Sequence, residues 1–145
     1  MTTVSSLRVV LDTNVLISGL LSQSGAPALL VRAVVRTGQA VFSDDTFAEF
    51  KSLIWRPKFD RFITIEQRNA VLSGFEATAY WVKVPLSLSA NRYSRDLKDD
   101  MFVHAALAAD AAYLVSGDDD LLCLNPIGSL PVLSPRAALD QITFI

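Results

Sequence analysis

The chain has 145 residues, of which 51% are hydrophobic, so it can bury the core of one domain and lacks the composition of a disordered protein. Polar residues interrupt its longest apolar runs before these reach the roughly 20 residues that span a bilayer, which excludes a membrane-spanning protein. The single cysteine, Cys123, can form neither an internal disulfide nor a zinc cluster of thiols. We therefore expect one domain over residues 1–145 in a reducing cytoplasm, with Cys123 buried as a small hydrophobic residue.

The net charge of −2 is unevenly distributed along the chain. Nine of the 13 basic residues lie between Lys51 and Lys98, against four acidic residues in the same stretch. From Asp99 to Asp120 there are six aspartates and no Lys or Arg. Scattered surface charge explains this pattern equally well, but a basic segment beside an acidic one is also typical of a phosphate-backbone binder with a metal site.

The order of apolar runs and turn residues predicts strands that alternate with helices. The first strand, Leu7–Leu11, is short, rich in branched residues and ends at an Asp-Thr-Asn turn, which is typical of a buried parallel strand. The other strands are predicted at residues 40–42, 81–84, 113–116 and 131–133.

Caps and helix breakers predict where the helices begin and end. Ser43 is a good N-cap, and Thr64 with Gln67 matches a capping box. Residues 85–98 are predicted as a polar loop. The helices are predicted from the turn after Asp12 to Leu20 or Leu21, from Pro27 to Gly38, over residues 44–55, 64–79 and 99–110, in a short segment after residues 118–120, and from Ser134-Pro135 onward.

This alternation predicts an α/β fold, a three-layer α/β/α domain around a mostly parallel central sheet. Such sheets bind ligands in the crevice beyond the carboxyl ends of their strands. Asp12 follows the first strand, and Ser116 and Asp118 follow the strand that begins near Tyr113. We therefore expect these polar residues to face one crevice.

Other acidic residues can reach the same end of the sheet. Glu49 lies in the middle of a helix, and Asp99 and Asp100 begin another, where free N–H groups favour carboxylates. Each has a purely structural alternative: a solvated helix charge for Glu49, N-cap residues for Asp99 and Asp100, and an exposed turn for the aspartates at 118–120. Asp12 is harder to explain in this way, because a carboxylate after a buried strand must be hydrogen-bonded by turn amides, paired or ligated.

Taken together, these carboxylates would repel one another unless a cation lay between them. Oxygen ligands favour Mg²⁺ or Mn²⁺ over zinc, which prefers His and Cys. The one histidine, His104, lies in an apolar helix, where a packed or surface residue is the simpler explanation. The residues therefore support metal-assisted hydrolysis, most naturally of a phosphodiester. A receiver-like phosphoacceptor domain also has acids at strand ends, but it needs a late Lys, and no Lys follows Lys98.

Three stretches carry a family resemblance: VVLDTNVLISGLL, SDDTFAEFKSLIWRPKF and RDLKDDMFVHAALAADAAYLVSGDDDLL. In this order they resemble the PIN-domain nucleases, especially the PIN-family (VapC-like) toxins of bacterial type II toxin-antitoxin modules. The resemblance runs from about Leu7 to Leu122 and so covers most of the chain. By position it implies that the catalytic and metal-binding acids are Asp12, Glu49, Asp100 and Asp118.

The resemblance leaves the third acid open between two neighbours. Asp100 is preferred by its spacing to the following apolar pair, but Asp99 is the alternative, and both are metal-ligand candidates. Asn14 and Ser116 are implied as polar supports behind the ligands. Ser116 stands where a Thr is usual, which keeps the hydroxyl, and Leu97 stands where a Pro is frequent; neither change removes an acid.

The resemblance also implies an endoribonuclease that cleaves single-stranded RNA, a cognate antitoxin protein, and a homodimer with residues 26–35 and 62–75 as candidate surfaces. An RNA-processing nuclease outside a toxin-antitoxin module and a non-catalytic PIN-like interaction domain are the alternatives. Basic residues of the middle segment can hold the phosphates of the substrate. These RNA-binding candidates are Arg56, Lys58, Arg61, Arg92, Arg95 and Lys98.

Overall fold

The structure, a computed structural model, describes residues 7–142, so both ends of the predicted domain 1–145 lie outside the described residues. Its strands are β1 (Leu7–Leu11), β2 (Gly38–Phe42), β3 (Tyr80–Trp81), β4 (Tyr113–Val115) and β5 (Val132–Leu133). They form one sheet in the order β3-β2-β1-β4-β5, and all four pairings are parallel. β1 and β4 are therefore neighbours whose carboxyl ends lie at the same edge.

Helices connect the strands and cover the sheet. Short 3-10 turns precede α4 and α6, at Pro57–Phe59 and Leu97–Asp99. The helices of the described residues are α1 (Thr13–Leu21), α2 (Ala26–Thr37), α3 (Asp44–Ile54), α4 (Ile65–Thr78), α5 (Leu86–Ser89), α6 (Asp100–Ala108), α7 (Asp119–Leu122) and α8 (Pro135–Gln141).

Both faces of the sheet are buried, because successive strand residues point to opposite sides. Val9 and Phe42 pack on one side with α1, α2, α3, α4 and α8. Val10 and Val41 pack on the other side with α6 and α7. A parallel sheet with helices on both faces is a three-layer α/β/α structure. The predicted fold class is therefore confirmed.

Side-chain caps fix where α3 and α4 begin. Ser43 Oγ accepts the Thr46 N–H (3.2 Å) while Thr46 Oγ1 accepts the Ser43 N–H (2.9 Å). Thr64 and Gln67 make the same reciprocal pair of bonds, so the predicted capping box is confirmed. Each pair satisfies two backbone donors that the helix leaves free. The cap on α3 also fixes the position of Glu49 in the middle of that helix.

Two strands differ from their predicted bounds by more than one residue, while β4 and β5 are each one residue shorter than predicted. β2 begins at Gly38, earlier than the predicted residue 40, and directly where α2 ends. The approach to β1 is so close that a Cβ at Gly38 would lie 2.6 Å from the carbonyl oxygen of Leu7. β3 is Tyr80–Trp81, and not residues 81–84. The Val82 N–H still donates to the Phe42 carbonyl (2.9 Å), but residues 82–85 are irregular.

Two further expectations were wrong. The predicted polar loop 85–98 contains α5 and the turn Leu97–Asp99, which are too short to produce a helical period of apolar residues. Cys123 is exposed rather than buried. It lies at the C-cap of α7, whose inward position is taken by the fully buried Leu121.

No helix within residues 7–142 has the length and hydropathy to cross a membrane alone. The consecutive helices α1 and α2 meet those limits only when counted together, and a 106° bend separates them.

Candidate active site

Asp12 lies at the carboxyl end of β1, beside the end of β4. Its backbone N–H extends the strand pairing by donating to the Val115 carbonyl (2.9 Å). Ser116 Oγ donates a hydrogen bond to Asp12 Oδ2 (2.7 Å). Both residues are almost fully buried, with exposures of 4% and 0%. The parallel register therefore brings these two polar residues, predicted to face one crevice, into direct contact.

The segment after β4 is folded by its own hydrogen bonds. Ser116 Oγ accepts the Asp118 N–H (2.9 Å), and Asp118 Oδ1 accepts the Asp120 N–H (2.9 Å). The second bond caps α7. As a result Asp118 and Asp120 are half-buried, while Asp119 is exposed. An exposed turn therefore describes Asp119 but not its neighbours.

Asp99 joins Asp118 and Asp120 in a group of three carboxylates. One carboxylate oxygen from each lies within 4.8 Å of the others. Asp99 is only 9% exposed, and its Oδ2 has no hydrogen-bond partner within residues 7–142. Because a buried carboxylate oxygen without a donor is destabilising, this oxygen is available to a cation.

Asp100, the preferred third acid from the sequence, has different contacts. Its Oδ1 accepts hydrogen bonds from the backbone N–H groups of Tyr93 (3.2 Å) and Ser94 (2.7 Å). Asp100 is 4% exposed, so this carboxylate is buried against the loop that precedes the Leu97–Asp99 turn. The structure therefore groups Asp99, and not Asp100, with the acid that follows β4.

The charge of Glu49 on α3 acts on Asp12. Burial raises the pKa of Asp12, the hydrogen bond from Ser116 lowers it, and the charges of Glu49 and Asp118 raise it further. Glu49 is half-buried on α3. The Asn14 side chain is exposed, and the Asp12 carboxylate makes no cap hydrogen bond to the start of α1.

The protonation of Asp99 is strongly perturbed. Burial is the largest cause that raises its pKa from 3.8 to about 7, and the negative charges of Asp118, Asp12 and Asp96 act in the same direction. When no cation is bound, the Asp99 carboxyl group therefore keeps its proton up to about pH 7, which relieves its repulsion of Asp118.

The available donors fit Mg²⁺ or Mn²⁺ better than zinc. Carboxylate oxygens are the ligands that these two ions prefer. The residues that zinc would use are engaged elsewhere, since His104 Nε2 is 2.7 Å from the Asn91 carbonyl oxygen and Cys123 is exposed at the end of α7. A divalent cation would take the place of the proton that the raised pKa keeps on Asp99.

The raised pKa of Asp99 predicts how stability depends on pH without metal. The folded protein keeps the Asp99 proton up to about pH 7, whereas an unfolded aspartate releases it near 3.8. The stability that this proton confers is therefore fully present below about pH 3.8 and is lost as the pH rises toward about 7. In EDTA we expect a higher melting temperature at about pH 5 than at about pH 8, measured by circular dichroism, and Mn²⁺ to stabilise the protein mainly at the higher pH. Equal melting temperatures in EDTA would contradict the assignment.

The RNA-binding candidates are all exposed, but another basic residue of the middle segment is not. Arg68 is 3% exposed, pairs with Asp60 (3.0 Å) and donates to the Ile54 carbonyl (2.7 Å). It therefore anchors the segment after α3 rather than offering charge to a ligand. The exposed candidates are Arg56, Lys58 and Arg61 on that segment, and Arg92, Arg95 and Lys98 before α6.

A family model for the PIN domain matches residues 8–120, which is most of the chain. The chain belongs to the PIN-domain family. This match confirms the family resemblance seen in the sequence. PIN domains are nucleases. The acids at the edge of the sheet lie within the matched residues.

Several solved structures share the fold of this PIN domain. FitAcB from Neisseria gonorrhoeae has a TM-score of 0.61 at 16% identity, over 88% of this chain and 98% of that chain. VapBC2 from Rickettsia felis, bound to a promoter DNA fragment, has a TM-score of 0.58 at 13% identity with the same coverage. VapC20 from Mycobacterium tuberculosis, a sarcin-ricin loop cleaving toxin, has a TM-score of 0.50 at 12% identity, over 77% and 91% of the two chains. No curated protein matches the chain in sequence.

Sequence reasoning does not single out Asp120 of this PIN domain as a site residue. The signal for it is the Asp-x-Asp spacing at the start of a short helix. An N-cap aspartate binds the N–H two residues later, which keeps the carboxylates of Asp118 and Asp120 close together. In the sequence alone the same spacing fits an exposed turn.

Proposed function

We propose that this PIN domain is an endoribonuclease that uses Mg²⁺ or Mn²⁺ to hydrolyse phosphodiester bonds of single-stranded RNA. The observation that supports this most is the carboxylate group around Asp99, whose buried Oδ2 has no donor among the described residues. Ionised carboxylates this close together repel one another, and a divalent cation between them would offset that repulsion. Membership of a nuclease family supplies the reaction class.

We propose Asp12, Glu49, Asp99 and Asp118 as the residues that hold the cation, with Asp99 in place of Asp100. Asp120 is close enough to contribute an oxygen of its own. When bound, a divalent ion lowers the pKa of a coordinated water and offsets the charge of the phosphate. The protein's part is to keep these carboxylates ionised, fixed and largely out of bulk water.

Ser116 positions two of the proposed ligands. Its hydroxyl donates to Asp12 Oδ2 and accepts from the Asp118 N–H, so one oxygen fixes the acids that follow β1 and β4. Such supporting hydrogen bonds hold ligands in a productive orientation. A Thr would offer the same donor and acceptor, which explains why a Ser can stand at this position.

The exposed basic residues before α6 and after α3 supply charge for binding the RNA backbone. Preference for RNA is supported by the family resemblance and by VapC20, a neighbour in fold that cleaves the sarcin-ricin loop. An acidic floor can receive only a backbone that is accessible, and this favours a single strand.

We also propose that the protein is the toxin of a toxin-antitoxin pair, acting in the cytoplasm. A fold neighbour is itself a toxin, and the family resemblance implies an antitoxin.

An apolar groove of about 540 Å³ lies between α2 and α4, and an apolar antitoxin segment is the occupant that we propose. Val31 and Val35 line one wall, Val71 and Phe75 the other; they belong to the two stretches considered as dimer surfaces. The homodimer stays a prediction from the resemblance.

The purified protein should cleave a single-stranded RNA in Mn²⁺ and stop when EDTA is in excess, as followed by gel electrophoresis. Asp12→Asn should lose cleavage, because it removes a charge that the cation needs. Asp45→Asn, an exposed acid at the start of α3, is the matched control and should cleave normally. Metal-independent cleavage, or full activity in Asp12→Asn, would overturn the proposal, and Mn²⁺ binding without any cleavage would favour an interaction module.

A further inference from the structure

The loop formed by residues 91–96 is held against α6 by two buried side chains. Asp100 Oδ1 accepts the backbone N–H groups of Tyr93 and Ser94. His104 Nε2 lies 2.7 Å from the carbonyl oxygen of Asn91, and since a carbonyl only accepts, this nitrogen carries the hydrogen. Asp100 and His104 are 4% and 8% exposed and lie one helical turn apart, on the same face of α6. Both ends of the segment Asn91 to Ser94 are therefore fixed.

The same loop contacts the candidate active site. Ser94 Oγ donates to the backbone carbonyl of Asp120 (3.5 Å) and accepts the Asp96 N–H (3.2 Å). Asp96 Oδ1 in turn accepts the Lys98 N–H (3.0 Å), which caps the turn that ends at Asp99. The loop is thus joined by hydrogen bonds to the segments that carry the acids.

The loop carries two of the RNA-binding candidates at its surface. Arg92 and Arg95 are exposed, whereas Ser94 between them is 5% exposed. A loop whose backbone is held by hydrogen bonds to buried side chains presents its exposed side chains from a fixed backbone. Binding to such a loop loses less conformational entropy than binding to a mobile one.

We propose that Asp100 and His104 are positioning residues, which hold this loop so that Arg92 and Arg95 bind RNA phosphates beside the acidic group. The inference rests on the proposed RNA cleavage. It also separates two neighbouring aspartates by role, because Asp99 acts on the cation while Asp100 acts on the RNA through the loop.

The test measures the affinity for a fluorescein-labelled oligo(U) by anisotropy in EDTA, so that it does not depend on catalysis. Asp100→Ala removes a negative charge, and a charge effect alone would strengthen RNA binding. We expect the opposite, an affinity for the oligonucleotide about fivefold lower than wild type. The slope of log Kd against log salt should also fall by about 0.7 for each phosphate that the loop no longer binds. Asp140→Ala, an exposed acid on α8, is the charge-matched control and should not weaken binding.

A double-mutant cycle connects the loop to the arginines. Replacing Arg92 and Arg95 by Ala should weaken binding strongly in the wild type and much less in Asp100→Ala, because both changes remove the same interaction with the RNA. In the Mn²⁺ assay Asp100→Ala should raise KM more than it lowers kcat, whereas Asp99→Asn should lower kcat. This split would not arise from a general loss of folded protein.

Conservative variants keep the test decisive if Asp100→Ala unfolds. Asp100→Asn keeps the acceptor oxygen and His104→Gln keeps an N–H donor, so both variants should bind RNA nearly as tightly as wild type. His104→Leu should bind RNA more weakly, although its circular dichroism spectrum should be unchanged. Unweakened binding by folded Asp100→Ala or His104→Leu, or fully additive arginine effects, would overturn the inference. If the inference is overturned in this way but the wild type cleaves RNA, the proposed function still holds. If the wild type neither binds nor cleaves RNA, the proposed function and the positioning role of Asp100 and His104 are both wrong.

Discussion

Asp99→Asn is expected to lower RNA cleavage by roughly 100-fold or more, the scale of losing one preorganised charged group in an active site. The same change should stabilise the metal-free protein at about pH 8, because it removes a buried carboxylate that repels Asp118 and Asp12. At about pH 5 the wild-type carboxyl is protonated, so the amide should change the melting temperature little. A gain in stability joined to a loss of activity is the signature of a charge kept for binding a cation.

Asp119→Asn is the matched control for this experiment. Asp119 is exposed, carries the same charge and lies next to Asp118. Its variant should cleave RNA at a rate within about twofold of wild type, and its free energy of unfolding should differ from wild type by less than about 0.5 kcal/mol. Cleavage assays and thermal melts of both variants at the two pH values give the comparison. If Asp100→Asn lost cleavage while Asp99→Asn kept it, Asp100 would be the third acid.

The choice between Asp99 and Asp100 shows what the sequence could not determine. Adjacent residues at a helix start point about 100° apart, so one of them faces the sheet edge and the other does not. Which one does so depends on the backbone of Tyr93 and Ser94, whose N–H groups take up the Asp100 carboxylate. That contact involves residues predicted only as a polar loop, and no local pattern indicated it.

By contrast, the placement of Asp12 beside Ser116 followed from sequence patterns. β1 and β4 are apolar runs that end at polar residues, and parallel strands place their carboxyl ends at one edge. The reciprocal caps of α3 and α4 likewise follow from short-range chemistry that the sequence displays. What escaped prediction were the short helix α5 and the bounds of β3, where tertiary contacts rather than an apolar period decide the conformation.

Phe50→Ala is expected to destabilise the protein by about 3–5 kcal/mol, through lost burial and the cavity that remains. Phe50 is fully buried and its ring lies 6.2 Å from that of Phe42 on β2 and 5.9 Å from that of Phe75 on α4. It therefore fastens α3 to both the sheet and α4. Since a domain has only about 5–15 kcal/mol of stability in total, urea unfolding should show a large drop in midpoint.

Phe62→Ala provides the comparison, because Phe62 is 60% exposed and its loss should cost less than about 0.5 kcal/mol. Phe50 is adjacent to Glu49, so loosening α3 should also move a proposed ligand. We therefore expect the folded fraction of Phe50→Ala to bind Mn²⁺ more weakly than Phe62→Ala in a calorimetric titration. Unchanged Mn²⁺ affinity in a destabilised Phe50→Ala would contradict the expected coupling between the packing of α3 and the cation site.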